Sequence, residues 1–188
     1  MTLILACSPR RGGNCDAAAA VIRETGGDIP PAAALRDHAV LPCISCGYCE
    51  KHPGECPLQA QDDSAALFNL LQNASKLVII APIYFYHLPA HLKALIDRSQ
   101  PWWFLRQTPA APPRGVRLAY PVLVGARPAG KRLFEGSLIT LRYWLDLFGY
   151  TLAEPLTLYG LDGPTDLAEN AAQREAVVRY AQKTVFGS

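Results

Sequence analysis

The chain has 188 residues, 50% of them hydrophobic, which is enough for one buried core and too little for two ordinary domains. Its 18 basic and 16 acidic residues nearly cancel, and no basic stripe or acidic tail marks a nucleic-acid surface. No apolar run approaches the roughly 20 residues of a membrane span, and a strand pattern begins at Thr2, so the expectation is one cytoplasmic domain over residues 1–188 without an export signal.

Strand and helix patterns alternate along the chain without an internal repeat. Thr2–Cys7 reads as a buried strand. Asn14 is placed to cap a helix running to about Thr25, which Gly26-Gly27 ends. A short second strand is expected near Ala32–Leu35, and Asp62-Asp63 opens a helix through Asn73. Lys76–Ala81 is apolar and β-branched without interruption, as a parallel strand covered on both faces should be. A helix from Pro89 to about Ser99 follows, with proline at its favoured first position. After a loop at Pro109–Pro113, Arg117–Val124 reads as a fourth strand. Lys131–Phe148 is a helix with Leu138, Leu141, Leu145 and Phe148 on one face. Thr151–Tyr159 is a fifth strand. Asp166 and Glu169 form a capping box for a last helix with a stripe of Leu167, Ala171, Val178, Ala181 and Val185. Five strands alternating with five helices predict a doubly wound α/β sheet. Such sheets bind ligands beyond the carboxyl ends of their strands, at the switch point.

Three loops at such ends carry unusual chemistry. After the first strand, Ser8-Pro9-Arg10-Arg11-Gly12-Gly13-Asn14-Cys15 leads into a helix. Small residues, free N–H groups and the helix dipole there suit a phosphate monoester, although the G-x-x-x-x-G-K-[ST] and G-x-G-x-x-G spacings are absent. The bland alternative is a solvated turn with two exposed arginines. After the third strand, Pro82-Ile83-Tyr84-Phe85-Tyr86 offers flat aromatic faces to a planar heterocycle, while core packing is an equal reading for Tyr86. Lys93 and Asp97 are spaced to pair with each other. After the fourth strand, Gly125-Ala126-Arg127 leads toward the next helix as a glycine-rich turn, an ordinary feature when taken alone.

Four of six cysteines fall in one loop, Cys43, Cys46, Cys49 and Cys56, with the spacing C-x2-C-x2-C-x6-C. Three thiols at successive x2 spacings and a fourth beyond suit an iron–sulfur cube. Structural zinc more often uses two separated knuckles. Free thiols, zinc with His52 assisting, and a redox disulfide remain alternatives. Cys7 reads as core, and His38, His87 and His91 show no ligand spacing. Trp102-Trp103 is either core or a subunit interface.

The first loop resembles the G-S-P-R-x-x-G-N-[ST] loop of NAD(P)H-dependent FMN reductases and related flavodoxin-like proteins. It matches from Ser8 to Asn14 and departs at Ala6-Cys7, where glycine usually precedes the serine. It departs again at Cys15, whose thiol is a weaker donor than the usual hydroxyl. Pro82 to Arg98 resembles the P-x-Y-x-x-x-x-P-x-x-L-K-x-x-[IL]-D-R stretch that lines the isoalloxazine ring in the same reductases. The cysteine loop, an insertion at about residues 40–62 after strand two, resembles that of iron–sulfur flavoproteins. The resemblance implies a flavodoxin-like three-layer sandwich around a five-stranded parallel sheet of order 2-1-3-4-5. It implies FMN with its phosphate at Ser8, Arg10, Gly13, Asn14 and Cys15. The ring would lie against Pro82, Ile83, Tyr84 and Phe85 on one side and Gly125, Ala126 and Arg127 on the other. A [4Fe–4S] cluster on Cys43, Cys46, Cys49 and Cys56, NAD(P)H as donor, and a homodimer or higher oligomer are implied as well. The expected function is an FMN-dependent oxidoreductase acting on a small molecule or a redox partner protein, with no side chain assigned as acid or base. Its rivals are a flavin or quinone reductase with structural cysteines, a non-enzymatic electron carrier, and a zinc-binding interaction domain.

Overall fold

The apolar runs of the sequence become the strands of one sheet: β1 Thr2–Ala6, β2 Ala33–Ala34, β3 Lys76–Pro82, β4 Arg117–Val124, β5 Tyr150–Leu152 and β6 Leu156–Leu158. The computed structural model describes residues 1–26, 32–111 and 117–187, so Gly27 and the end of the Pro109–Pro113 loop lie outside the described residues. The strand order is β2-β1-β3-β4-β5, with β6 also paired to β4, and every pairing is parallel. This is the expected doubly wound order.

Alternate side chains of the central strands enter two separate cores, as the two-residue period of a strand requires. Leu3, Leu5, Leu77, Ile79 and Leu123 face α3 (Ser64–Asn73), α4 (Ala90–Asp97) and α6 (Glu135–Asp146). Ile4, Val78, Ile80, Val122 and Val124 face α1 (Asn14–Gly26) and α8 (Ala171–Tyr180). Short helices α2 (Tyr48–Lys51), α5 (Gln100–Leu105) and α7 (Asp166–Glu169) complete the α-helices among the described residues, and a π-helical turn over Ala181–Val185 continues α8. Among the described residues no helix is long and apolar enough to cross a membrane.

Four expectations are corrected. The fifth strand is split into β5 and β6, because between the two paired stretches two residues of β4 (Tyr120 and Pro121) face three of the edge chain (Ala153 to Pro155). The extra residue falls beside Pro155, which has no N–H to give the ladder. The last helix breaks at Asn170, whose side chain accepts from the Gln173 N–H and starts α8 afresh. Asp166 makes no capping box; its carboxylate accepts from the Gly163 N–H at 2.7 Å. The buried stripe is Leu167, Val177, Ala181 and Val185, while Ala171 is exposed. Trp102 is core, 8% exposed with its ring 4.1 Å from that of Phe68, whereas its neighbour Trp103 stands 54% exposed.

Candidate functional site

The loops after β1, β3, β4 and β6 converge on one cavity at the carboxyl ends of the strands. Its volume is about 90 Å³, and Ser8, Arg10, Gly13, Asn14, Cys15, Pro82, Ile83, Tyr84 and Ala126 all line it. That is space for the end of a ligand, since cavities for whole drug-sized molecules run to several hundred cubic ångströms. Nine of the twelve residues expected to hold a cofactor therefore meet here. The other three lie nearby: Gly125 belongs to the ladder, donating to the Leu158 carbonyl at 2.8 Å, and Phe85 and Arg127 lie outside the cavity.

The first loop turns main-chain donors toward the cavity. Ser8 is 5% exposed and its hydroxyl accepts from the Arg10 N–H. The first N–H groups of α1, which a helix leaves without internal partners, open on the same cavity. Asn14 behaves differently from expectation. Its amide donates to the carbonyls of Leu161 (3.3 Å) and Gly163 (2.9 Å), and its oxygen accepts from the Leu167 N–H (2.9 Å). The side chain thus staples the first loop to the last one and leaves only its main chain for a ligand. Burial, then the Asp16 charge, push the Cys15 thiol up to about 12, against the lowering effects of Arg36 and the Ser8 hydroxyl. Cys7 is also raised, by burial first and then by Cys15. Both thiols are neutral here.

Two features of this loop lie beyond the expected set. Arg36, just after β2, donates to Asp16 (2.9 Å) and to the carbonyls of Ser8 and Arg10 (3.4 Å each), pinning the loop from below. Leu161 and Asp162 supply the far wall, and the Arg10 guanidinium donates to the Asp162 carbonyl at 3.3 Å. Arg11 turns away and pairs with Asp37.

Beyond the cavity the chain makes a two-residue hairpin. Tyr84 and His87 exchange both main-chain hydrogen bonds, at 2.9 and 3.0 Å. Phe85 and Tyr86 at the tip have positive φ, +49° and +63° respectively. Such turns normally use glycine or asparagine. Phe85 is fully exposed, and Tyr84 and Tyr86 about half so; Tyr86 is therefore not core. Arg127 hydrogen-bonds the Tyr86 hydroxyl and lies 5.5 Å from its ring, bridging the loops after β3 and β4. His87 is tied to α6 through Thr140 at 3.2 Å.

A second cavity, of about 620 Å³, is lined by Cys43, Cys46, Cys49 and Cys56 together with Asp97, Arg98, Gln100, Pro101 and Phe104. Cys43 and Cys46 are exposed and Cys49 and Cys56 partly buried. Ser45 and Gly47 take positive φ on either side of Cys46, curling the loop over the cavity. Burial raises the Cys49 thiol, and the neighbouring Cys43, Cys56 and Cys46 raise it further against a main-chain hydrogen bond. Among the described residues no three Cys, His, Asp or Glu side chains stand close enough to share a single metal ion. The donor number, donor chemistry and common cavity fit a bound iron–sulfur unit, which spans more space than one ion.

The stem of this loop rests on an ion pair. Arg98 and Asp62 lie 2.6 Å apart with side chains 1% and 0% exposed. Burial alone would raise the Asp62 carboxyl, but hydrogen bonds from Ser64, the Leu41 N–H and Arg98 hold it below its ordinary value. Removing one partner of such a pair costs on the order of 3–5 kcal/mol. Lys93 and Asp97 pair as expected, at 2.6 Å.

The parallel order, the loop of small and polar residues that opens α1 after β1, and the aromatic turn after β3 define a flavodoxin-like protein. Residues 1–183 match the family described as having a flavodoxin-like fold, and the chain belongs to that family. It is similar to an iron–sulfur flavoprotein of Methanosarcina thermophila, 34% identical over 96 residues, or 49% of this chain and 48% of that protein. An iron–sulfur flavoprotein of Methanocaldococcus jannaschii is 37% identical over 67 residues, 36% of this chain and 33% of that one. The matched stretches thus span at most about half the length of these curated relatives. Among solved structures, an NAD(P)H:quinone oxidoreductase from Methanothermobacter marburgensis shares the fold with a TM-score of 0.71, at 16% identity over 97% of this chain and 95% of that one.

Proposed function

We propose that the protein is an FMN-dependent oxidoreductase carrying electrons from a reduced nicotinamide or other donor to a small-molecule or protein acceptor, through FMN and one [4Fe–4S] cluster. The observation that carries this reading is the meeting of the loops after β1, β3 and β4 on a single cavity at the switch point. Ser8, Arg10, Gly13 and the main chain of Asn14 and Cys15 would hold the phosphate. The ring would lie outward over Ile83 and Tyr84, with Phe85 at the open edge and the Arg127 guanidinium available to the pyrimidine edge or an incoming nicotinamide. FMN, once bound, supplies both hydride acceptance and single-electron release. The chain's own part is to bind, orient and cover it; the neutral Cys15 thiol brings no charge against the phosphate. Cys43, Cys46, Cys49 and Cys56 would hold the cluster, and the similarity to two iron–sulfur flavoproteins supports this choice.

The site suits a phosphorylated flavin over an unphosphorylated one. Fluorescence titration with FMN and riboflavin should give much tighter FMN binding, and equal affinities would remove the phosphate assignment. Anaerobic reconstitution should yield about four irons and four sulfides per chain. Stoichiometric zinc, or flavin with no iron, would leave a flavin or quinone reductase with structural cysteines.

A further inference from the structure

The cysteine loop leaves the main chain after Leu41 and rejoins it at Asp62. For its thiols to face one cavity, those two ends must be held together. One guanidinium does this. Arg98 Nη1 donates to the Leu41 carbonyl (3.0 Å) and to the Asp62 carboxylate (2.6 Å), and Nη2 donates to the Ser64 hydroxyl (3.0 Å). Asp62 in turn accepts from the Leu41 N–H at 2.9 Å, and Asp63 exchanges hydrogen bonds with Ala39. Arg98 is 1% exposed, yet it lines the cavity with all four thiols. Its Nε is buried without a hydrogen-bond partner among the described residues. A buried donor in that state asks for an acceptor, and a sulfur atom held in the cavity is one the same residue borders.

We propose that Arg98 is the positioning residue of the cysteine centre, clamping both ends of the loop through its two terminal nitrogens and giving its Nε–H to a bound sulfur. The proposal rests on the reading of this cavity as an iron–sulfur site. The role needs the planar fork. Lysine keeps the charge but has a single nitrogen, and cannot span the Leu41, Asp62 and Ser64 acceptors and a sulfur together.

The test compares the full chain with Arg98→Lys and Arg98→Met. In the metal-free proteins, hydrogen exchange at the Ala39 and Leu41 amides should quicken about tenfold in both variants, the effect of roughly one lost hydrogen bond. Exchange in β3 should quicken less than at these stem amides, since β3 reports only the global loss of stability, and FMN affinity should stay as in the parent, since its cavity lies outside the clamp. After anaerobic reconstitution with iron and sulfide, both variants should hold less than half the parent's iron. The cluster that does form should have a lower midpoint potential, because a hydrogen bond to sulfur favours the more negative reduced state. If Arg98→Met does not fold, Arg98→Lys decides alone. Unchanged exchange in the stem, or full iron loading with an unchanged potential in Arg98→Lys, would overturn the proposal. Failure of the parent to take up iron and sulfide would instead remove the cluster reading and the sulfur bond with it, leaving the exchange result to judge the clamp.

Discussion

At Cys15 a thiol occupies a position that touches both the core and the cavity beyond β1, and its protonation has a measurable cost at high pH. The unfolded chain ionises this thiol near about 8.5, while the folded chain holds it up to about 12. Above the unfolded value the unfolded state therefore sheds a proton that the folded state keeps, so stability falls as pH rises through this window. The slope is at most about 1.4 kcal/mol per pH unit. Denaturant melts of the FMN-free chain should show the parent losing about 2 kcal/mol more than Cys15→Ala between about pH 8 and pH 10. Arg10 carries a different prediction. A charge-assisted hydrogen bond is worth about 1.5–3 kcal/mol, so Arg10→Ala should weaken FMN roughly 10- to 100-fold and leave riboflavin unaffected. Calorimetric titration of both ligands checks this; a parallel loss for riboflavin would place Arg10 on the ring instead.

In the aromatic turn the backbone works against two consecutive side chains. Phe85 and Tyr86 hold positive φ, a conformation costing about 1–2 kcal/mol for each such residue. Strain of this kind tends to be kept where a site needs a particular presentation. Phe85→Asn should therefore raise the melting temperature of the FMN-free chain by about 2–4 °C, while lowering turnover with an aromatic acceptor. A drop in melting temperature would show that Phe85 is held by packing after all. The turn's composition was legible in the sequence, but its left-handed backbone was not, because aromatic residues give no sign of it. β1, β3 and β4 were legible because burial on both faces leaves an unbroken apolar run. The edge strand was not, since Pro155 interrupts its pairing without interrupting its pattern. Asn170 carried a readable cap signal hidden behind the apparent box at Asp166. α5 is too short for its periodicity to register. Arg36 and Arg98 were illegible as site residues for a plainer reason: their partners lie 20–57 residues away along the chain.

At the scale of the whole molecule, the two cavities share no lining residue and are linked by α4, which runs from Pro89 after the aromatic turn to Asp97 and Arg98 beside the thiols. Its eight residues span about 12 Å. Trp103 and Tyr143, 54% and 73% exposed, line a further cleft of about 460 Å³ at α5 and α6. Large aromatics on one open face are a feature of subunit contacts, so light scattering at micromolar concentration should report twice the 20.5 kDa chain mass. Trp103→Glu combined with Tyr143→Glu should return it to one chain. A parent protein that is monomeric and fully active would remove the dimer.

The staple at Asn14 sets a timetable. Its partners Leu161, Gly163 and Leu167 lie 147 to 153 residues further along. At synthesis rates of roughly 5–20 residues per second, the first loop waits roughly 7–30 s for them to be made. Until then the Asn14 side chain has none of the three partners that hold it in the folded chain, so the geometry of the first loop is set only once the segment from Leu161 to Leu167 has been made.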